Sequence, residues 1–143
     1  MHMTITITDT IDDLDWVVLN DLLTRGFGYE RSQEVVQRTF TGSYACCFAW
    51  QDGTLVGAAR AISDGVACSA IYDVAVDPVL QGQGIGRALM QAILARLPKR
   101  SVMLVSTMGN EDFYRKLGFR KMRTAYILME DFRGWEAGGY LET

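Results

Sequence analysis

The chain has 143 residues, 49% hydrophobic and 22% charged, a size and balance that fit one folded domain over residues 1–143 and exclude a long disordered region. No apolar run approaches the roughly 20 residues that span a bilayer, and the N-terminus opens on Met1-His2-Met3 and alternating Thr and Ile where a signal sequence would need a basic stretch and then an apolar one, so the expected location is cytoplasmic. His2 is the only histidine, and Cys46, Cys47 and Cys68 form no C-x-x-C pair. Nothing is therefore left for a Ser-His-Asp triad or a His-ligated zinc; no metal is expected, and the thiols are expected to be buried.

The net charge of −3 hides an asymmetry. Residues 1–58 carry eight acids against three bases, whereas residues 81–123 carry nine bases against Glu111 and Asp112 alone. The centre suits an anionic ligand. Nucleic acid is not the expected partner, because these bases lack interleaved aromatics and the pI is about 5.1.

Thr4 to Thr8 alternates Thr and Ile and reads as a strand. Asp12 or Asp13 offers the N-cap of a helix through Trp16, Leu19, Leu22 and Leu23 that Gly26 ends, and a second short helix runs from about Ser32 to Phe40. Tyr44 to Gln51 and Leu55 to Ser63 are β-rich runs joined by Asp52-Gly53, a tight-turn signal, and Asp64-Gly65 leads into a third strand, Ala67 to Val76. That third run is almost continuously apolar, which suits a strand covered on both faces. After Pro78 the spacing of Leu89, Ala92, Ile93 and Leu97 predicts a helix reaching Pro98. A strand from Val102 to Thr107, a helix from about Asn110 to Leu117 closed by Gly118, and a strand from about Met122 to Met129 follow. An antiparallel meander followed by a βαβ unit makes the fold class α/β with a mixed sheet.

The stretch Val74 to Arg87 is the most informative. A strand feeds a glycine-rich turn that opens a helix, so free backbone N–H groups and the positive helix end converge on one point. Gly82, Gly84 and Gly86 remove the Cβ atoms that would hold a phosphate away, and Arg87 adds charge. The spacing fails the G-x-G-x-x-G fingerprint in both registers, which speaks against a dinucleotide oxidoreductase, and no Gly-Lys pair exists for a P-loop.

Gln81-Gly82-Gln83-Gly84-Ile85-Gly86 resembles the Gln/Arg-x-x-Gly-x-Gly/Ala signature of the GCN5-related N-acetyltransferase (GNAT) family. Phe113-Tyr114-Arg115-Lys116-Leu117-Gly118-Phe119, one βα unit later, looks like the family's F-Y-x-K-x-G-F segment. The resemblance covers roughly Leu14 to Met129. It implies the GNAT fold, with helices on both faces of the sheet and parallel strands that splay after a bulge. It also implies an acyltransferase that moves the acetyl group of acetyl-CoA to a primary amine of a small molecule or peptide by direct attack in a ternary complex. A non-catalytic acetyl-CoA sensor is the alternative.

The residue roles follow from the same resemblance. The backbone of Val74, Ala75 and Val76 would bond the pantetheine arm. The main chain from Gln81 through Gly82, Gln83, Gly84, Ile85 and Gly86 to Arg87 would hold the pyrophosphate. Asn110 would contact the pantetheine, and Tyr114 would protonate the departing thiolate. Asp73, the only charge in the third meander strand, either relays a proton through water or serves as an anchor. Such chemistry needs a neutral amine, a polarised carbonyl and a proton donor, and none of these requires histidine. The acceptor is expected near the first two helices and their connection, Gly26 to Arg31, where the negative balance favours a cationic amine. Trp16, Phe27, Tyr29 and Phe40 there offer an aromatic wall or core packing. An exposed sheet edge suggests a homodimer.

Overall fold

In the computed structural model, which describes residues 4–142 and so leaves His2 outside, β1 (Ile5–Thr8) precedes α1 (Trp16–Phe27) and α2 (Gln33–Thr41). Asp15, not Asp12 or Asp13, caps α1: its Oδ1 accepts from Val17 N at 3.0 Å and Val18 N at 3.3 Å. The helix also outruns Gly26. It ends at Gly28, whose φ of 79° is left-handed and whose N–H bonds Thr24 O at 2.8 Å. Gly26 has a packing role instead, since a Cβ there would lie 3.3 Å from the Cβ of Ala75.

The meander comprises β2 (Ala45–Gln51), β3 (Thr54–Ser63) and β4 (Cys68–Val76); α3 (Ile85–Ala95) and β5 (Ser101–Leu104) complete the βαβ unit. The sheet order is β1-β2-β3-β4-β5, antiparallel except for the parallel β4–β5 pair. Asp52 and Gly53 both take positive φ, 49° and 79°, as a tight two-residue hairpin turn requires. On one face Leu19, Leu22, Leu23, Val36 and Phe40 pack against Cys46, Phe48 and Ala58. On the other face lies α3, with Leu89, Met90 and Ile93 fully buried. Close approach there depends on Gly57, where a Cβ would stand 2.7 Å from Leu89 Cδ1.

Several expectations need correction. β4 is not covered on both faces, because Tyr72 is 44% exposed. Cys46 and Cys47 are buried on opposite faces, and burial pushes both thiols up to about 11, but Cys68 at the start of β4 is exposed. The strand expected from Val102 to Thr107 starts a residue earlier and stops at Leu104. Met122 to Met129 forms no strand; Tyr126 and Leu128 stand 99% and 92% exposed. A strand exists only through a neighbour's backbone groups, and this run pairs with none among the described residues.

Two compact units make up the chain, Met1–Val105 and Ser106–Thr143. The second holds α4 (Glu111–Lys116) and α5 (Arg133–Ala137). Within it the Tyr140 hydroxyl accepts from Met108 N at 3.0 Å, and its ring lies 5.2 Å from that of Trp135.

Candidate active site

β4 changes partners halfway along. From Cys68 to Ile71 it has β3 on one side and β5 on the other, and Ile71 opposite Leu104 is the last parallel pair. From Tyr72 to Val76 the ladder continues with β3 alone. Arg60 faces Tyr72 while Ala58 faces Ala75, so Asp73 and Val74 stand together opposite Ala59 in a β-bulge. The parallel strands therefore part at a bulge. Asp77 N donates to Val56 O at 2.8 Å, and successive strand residues turn their backbone groups to alternate sides, so Val76 presents its N–H and C=O to the open edge.

Asp77 begins the loop beyond β4. Its Oδ1 accepts from Val79 N at 3.1 Å and its Oδ2 pairs with Arg25 Nη1 at 2.9 Å; the guanidinium holds this carboxyl below its usual range. After a short 3-10 turn, Pro78–Leu80, Gly82 and Gly84 take left-handed φ of 82° and 87°. No atom comes within 4 Å of where either Cβ would be. Gly84 is the N-cap of α3 and offers no side chain to the first-turn N–H groups, which leaves them for an external acceptor. Ile85, 2% exposed, seats the helix start in the core, while Gln81, Gln83 and Arg87 are exposed. The result is an open cradle of amides beside a cation, an arrangement that suits an anion.

Asp73 is not a free carboxylate. Its side chain is 11% exposed; Oδ1 accepts from Arg31 Nη1 at 3.0 Å and Oδ2 from Arg60 Nε at 2.6 Å. Neither arginine was singled out in the sequence. The available signal was the position of Arg60, a lone charge inside an apolar strand, which needs a buried counter-ion as Asp73 does. Of the four aromatics near the first helices, Phe40 is core, stacked 5.9 Å from Phe48, and Trp16 and Phe27 pack on the same core, while Tyr29 is 57% exposed.

Asn110 and Tyr114 belong to the second unit. Asn110 occupies the N-cap position of α4 without bonding the helix; its Nδ2 donates to Thr107 Oγ1. Tyr114 is half-buried, edge-on to Phe113 at 5.0 Å and to Phe119 at 6.0 Å. Burial pushes its phenol up, so it keeps its proton at neutral pH. Gly118, at φ 97°, bonds Arg115 O at 3.0 Å and Phe119 N bonds Tyr114 O at 3.1 Å, the pair of bonds that closes a helix and folds the next residue back. The F-Y-x-K-x-G-F segment is thus a helical turn with its cap, and the cap brings Phe119 against Tyr114.

A mixed sheet that opens at a bulge, with its inner strand leading into an uncapped helix, is the α/β arrangement that the resemblance to the GNAT family implies. Residues 17–128 match the family description "Acetyltransferase (GNAT) domain". The GCN5-related N-acetyltransferase 2, chloroplastic, of Arabidopsis thaliana is 42% identical over 72 residues, 48% of this chain and 28% of that protein. The serotonin N-acetyltransferase 2, chloroplastic, of Oryza sativa subsp. japonica is 33% identical over 116 residues, 74% of this chain and 56% of that protein. The chain thus spans about a quarter to a half of these relatives. A GNAT-family acetyltransferase structure from Streptococcus pneumoniae superposes with a TM-score of 0.73 at 25% identity, covering 89% of this chain and 100% of that one. The chain belongs to the GNAT family.

Proposed function

We propose that the protein transfers the acetyl group of acetyl-CoA to a primary amine by direct attack in a ternary complex, within a single domain over residues 1–143. The observation that carries this reading is the open amide cradle at the start of α3, where Gly82 and Gly84 are left-handed and no side chain caps the helix. The main chain from Gln81 to Arg87 holds the pyrophosphate. Val74, Ala75 and Val76 supply backbone groups to the pantetheine arm along the edge that β5 leaves open, and Asn110 adds a contact to that arm. Tyr114 gives its proton to the departing thiolate, a role suited to a phenol that stays protonated at neutral pH. Asp73 anchors the site, because both its oxygens already accept from guanidiniums.

The acceptor approaches near the connection between α1 and α2. The acidic balance of residues 1–58 favours a cationic amine, and the name of the rice relative makes an arylalkylamine a natural member of a test panel. The test is release of free CoA from acetyl-CoA with tyramine, spermidine and a peptide bearing a free N-terminus, alongside calorimetry of acetyl-CoA binding. Turnover with one class and micromolar cofactor binding are expected. Tight binding with no amine acetylated would overturn the catalytic reading in favour of a cofactor sensor.

A further inference from the structure

The bulge in β4 is held by side chains from two other elements. Asp73 has a φ of 55°, a left-handed conformation that L residues adopt rarely. Arg60 reaches its carboxylate from β3 at 2.6 Å, and Arg31 reaches it from the α1–α2 connection at 3.0 Å. Each guanidinium is itself seated between rings. That of Arg31 lies 5.7 Å from the ring centroids of both Phe27 and Tyr29; that of Arg60 lies 5.9 Å from Phe40 and 5.1 Å from Tyr72. Asn20 Nδ2 donates to the Arg31 carbonyl at 3.2 Å, which ties the connection back to α1. All three charges are 19% exposed or less.

We infer that Arg31, Asp73 and Arg60 are positioning residues for acetyl transfer: the two guanidiniums hold Asp73 in its left-handed bulge, and the same carboxylate docks the α1–α2 connection beside the open half of β4. A bulge turns the residues after it away from the regular pleat, so the clamp sets how Val74 to Val76 face the thioester. It also commits both oxygens of the one carboxylate in β4, so Asp73 is not a free base for the acceptor's proton. The amide cradle at residues 81–87 lies outside the clamp, so binding of the cofactor and its alignment are separable. The inference rests on the proposed acetyl-CoA reading.

The test compares Arg31→Gln, Arg31→Lys, Asp73→Asn, Asp73→Gly and the double variants Arg31→Gln/Asp73→Asn and Arg31→Gln/Arg60→Gln with the wild type. Three quantities are measured: acetyl-CoA affinity by calorimetry, kcat and amine KM with the panel member that turns over fastest, and amide hydrogen exchange. The expected result is acetyl-CoA affinity within about threefold of wild type, and kcat/KM for the amine lowered about 10- to 100-fold by Arg31→Gln and by Asp73→Asn. Arg31→Gln/Asp73→Asn should be no worse than Asp73→Asn alone, since that change already breaks the Arg31–Asp73 pair, and Arg31→Lys should recover part of the loss. Exchange should quicken at residues 72–76 but not at residues 45–51, and Asp73→Gly should show this too although glycine accepts the backbone conformation. A loss in Asp73→Asn far beyond that in Arg31→Gln/Arg60→Gln, which frees the same carboxylate from both guanidiniums, would overturn the inference in favour of Asp73 as a base. Unchanged exchange at residues 72–76, or quickening throughout the sheet, would overturn it as well, without needing any acceptor. A wild-type chain that binds no acetyl-CoA would instead remove the reading beneath it.

Discussion

The two halves of β4 obey different rules. Cys68 to Ile71 sit between two neighbouring strands in regular register, and local sequence preference agrees with the structure there. Tyr72 to Val76 have one neighbour, a bulge, a left-handed aspartate and a carboxylate held by two arginines. A strand left open on one edge forfeits ladder bonds and exposes backbone groups. In this chain that cost falls where an extended, amide-bearing ligand would restore the ladder, which is why the proposed cofactor edge lies on the irregular half and the regular half serves as its support.

The largest effect expected is at the loop that the irregular half feeds. Gly84→Asp puts a side chain and a negative charge into the amide cradle and strains a φ of 87°. Acetyl-CoA affinity by calorimetry should fall at least ~100-fold, while the melting temperature should fall only by the few degrees that a left-handed aspartate costs, because nothing lies within 4 Å of the new Cβ. Unchanged affinity would move the cofactor site elsewhere.

Next in size is Tyr114→Phe, which keeps the ring against Phe113 and Phe119 and removes only the hydroxyl. If the phenol protonates the thiolate, kcat should drop by about 10²–10⁴-fold with acetyl-CoA affinity retained. Because burial raises the phenol, the wild-type rate should persist to a pH above the ordinary ~10 of a tyrosine before its basic limb begins. Retention of wild-type kcat would return Tyr114 to a packing role.

Much of the fold was legible in the sequence. Asp52-Gly53 and Asp64-Gly65 marked their turns, Ser32 the start of its helix, and the glycine spacing at 82–86 the turn that opens α3, because each is a local signal read from neighbouring residues. Misread features depended on distant partners. Gly26 looked like a helix stop and is a point of contact with Ala75. The run from Met122 to Met129 read as a strand, but a strand needs a ladder that composition cannot supply. Asp73 was legible as a costly charge, whereas its two arginines, 42 and 13 residues away in sequence, were not.

Gly57→Ala probes the support and not the site. The new Cβ would meet Leu89 Cδ1 at 2.7 Å, Ala49 Cβ at 3.2 Å and Ala75 O at 3.3 Å, with Leu89 and Ala49 fully buried. Overpacking of this kind typically costs about 1–3 kcal/mol, offset by up to ~1 kcal/mol from the restricted unfolded chain. A net loss of about 1–2 kcal/mol in denaturant unfolding is therefore expected. A neutral result would mean that α3 can move off the sheet without cost.

The smallest effect expected lies at the entrance to the regular half, where Asp64 organises the turn before β4. Its Oδ1 accepts from Val66 N at 2.8 Å, Ala67 N at 2.7 Å and Cys68 N at 3.1 Å, and these amides, Ala67 first, lower its pKa. A carboxyl depressed on folding contributes stability that is complete above its unfolded value, near ~3.9, and is lost as the pH falls through the lower folded value. Asp64→Asn keeps one acceptor oxygen and removes the charge, so the wild type should melt above the variant at pH 6 and the gap should close as the pH drops through the folded value. Because Asp64 is open to solvent, the gap should also shrink in added salt. A gap that stays constant across this range would assign the turn's stability to the shape of the acceptor and not to its charge.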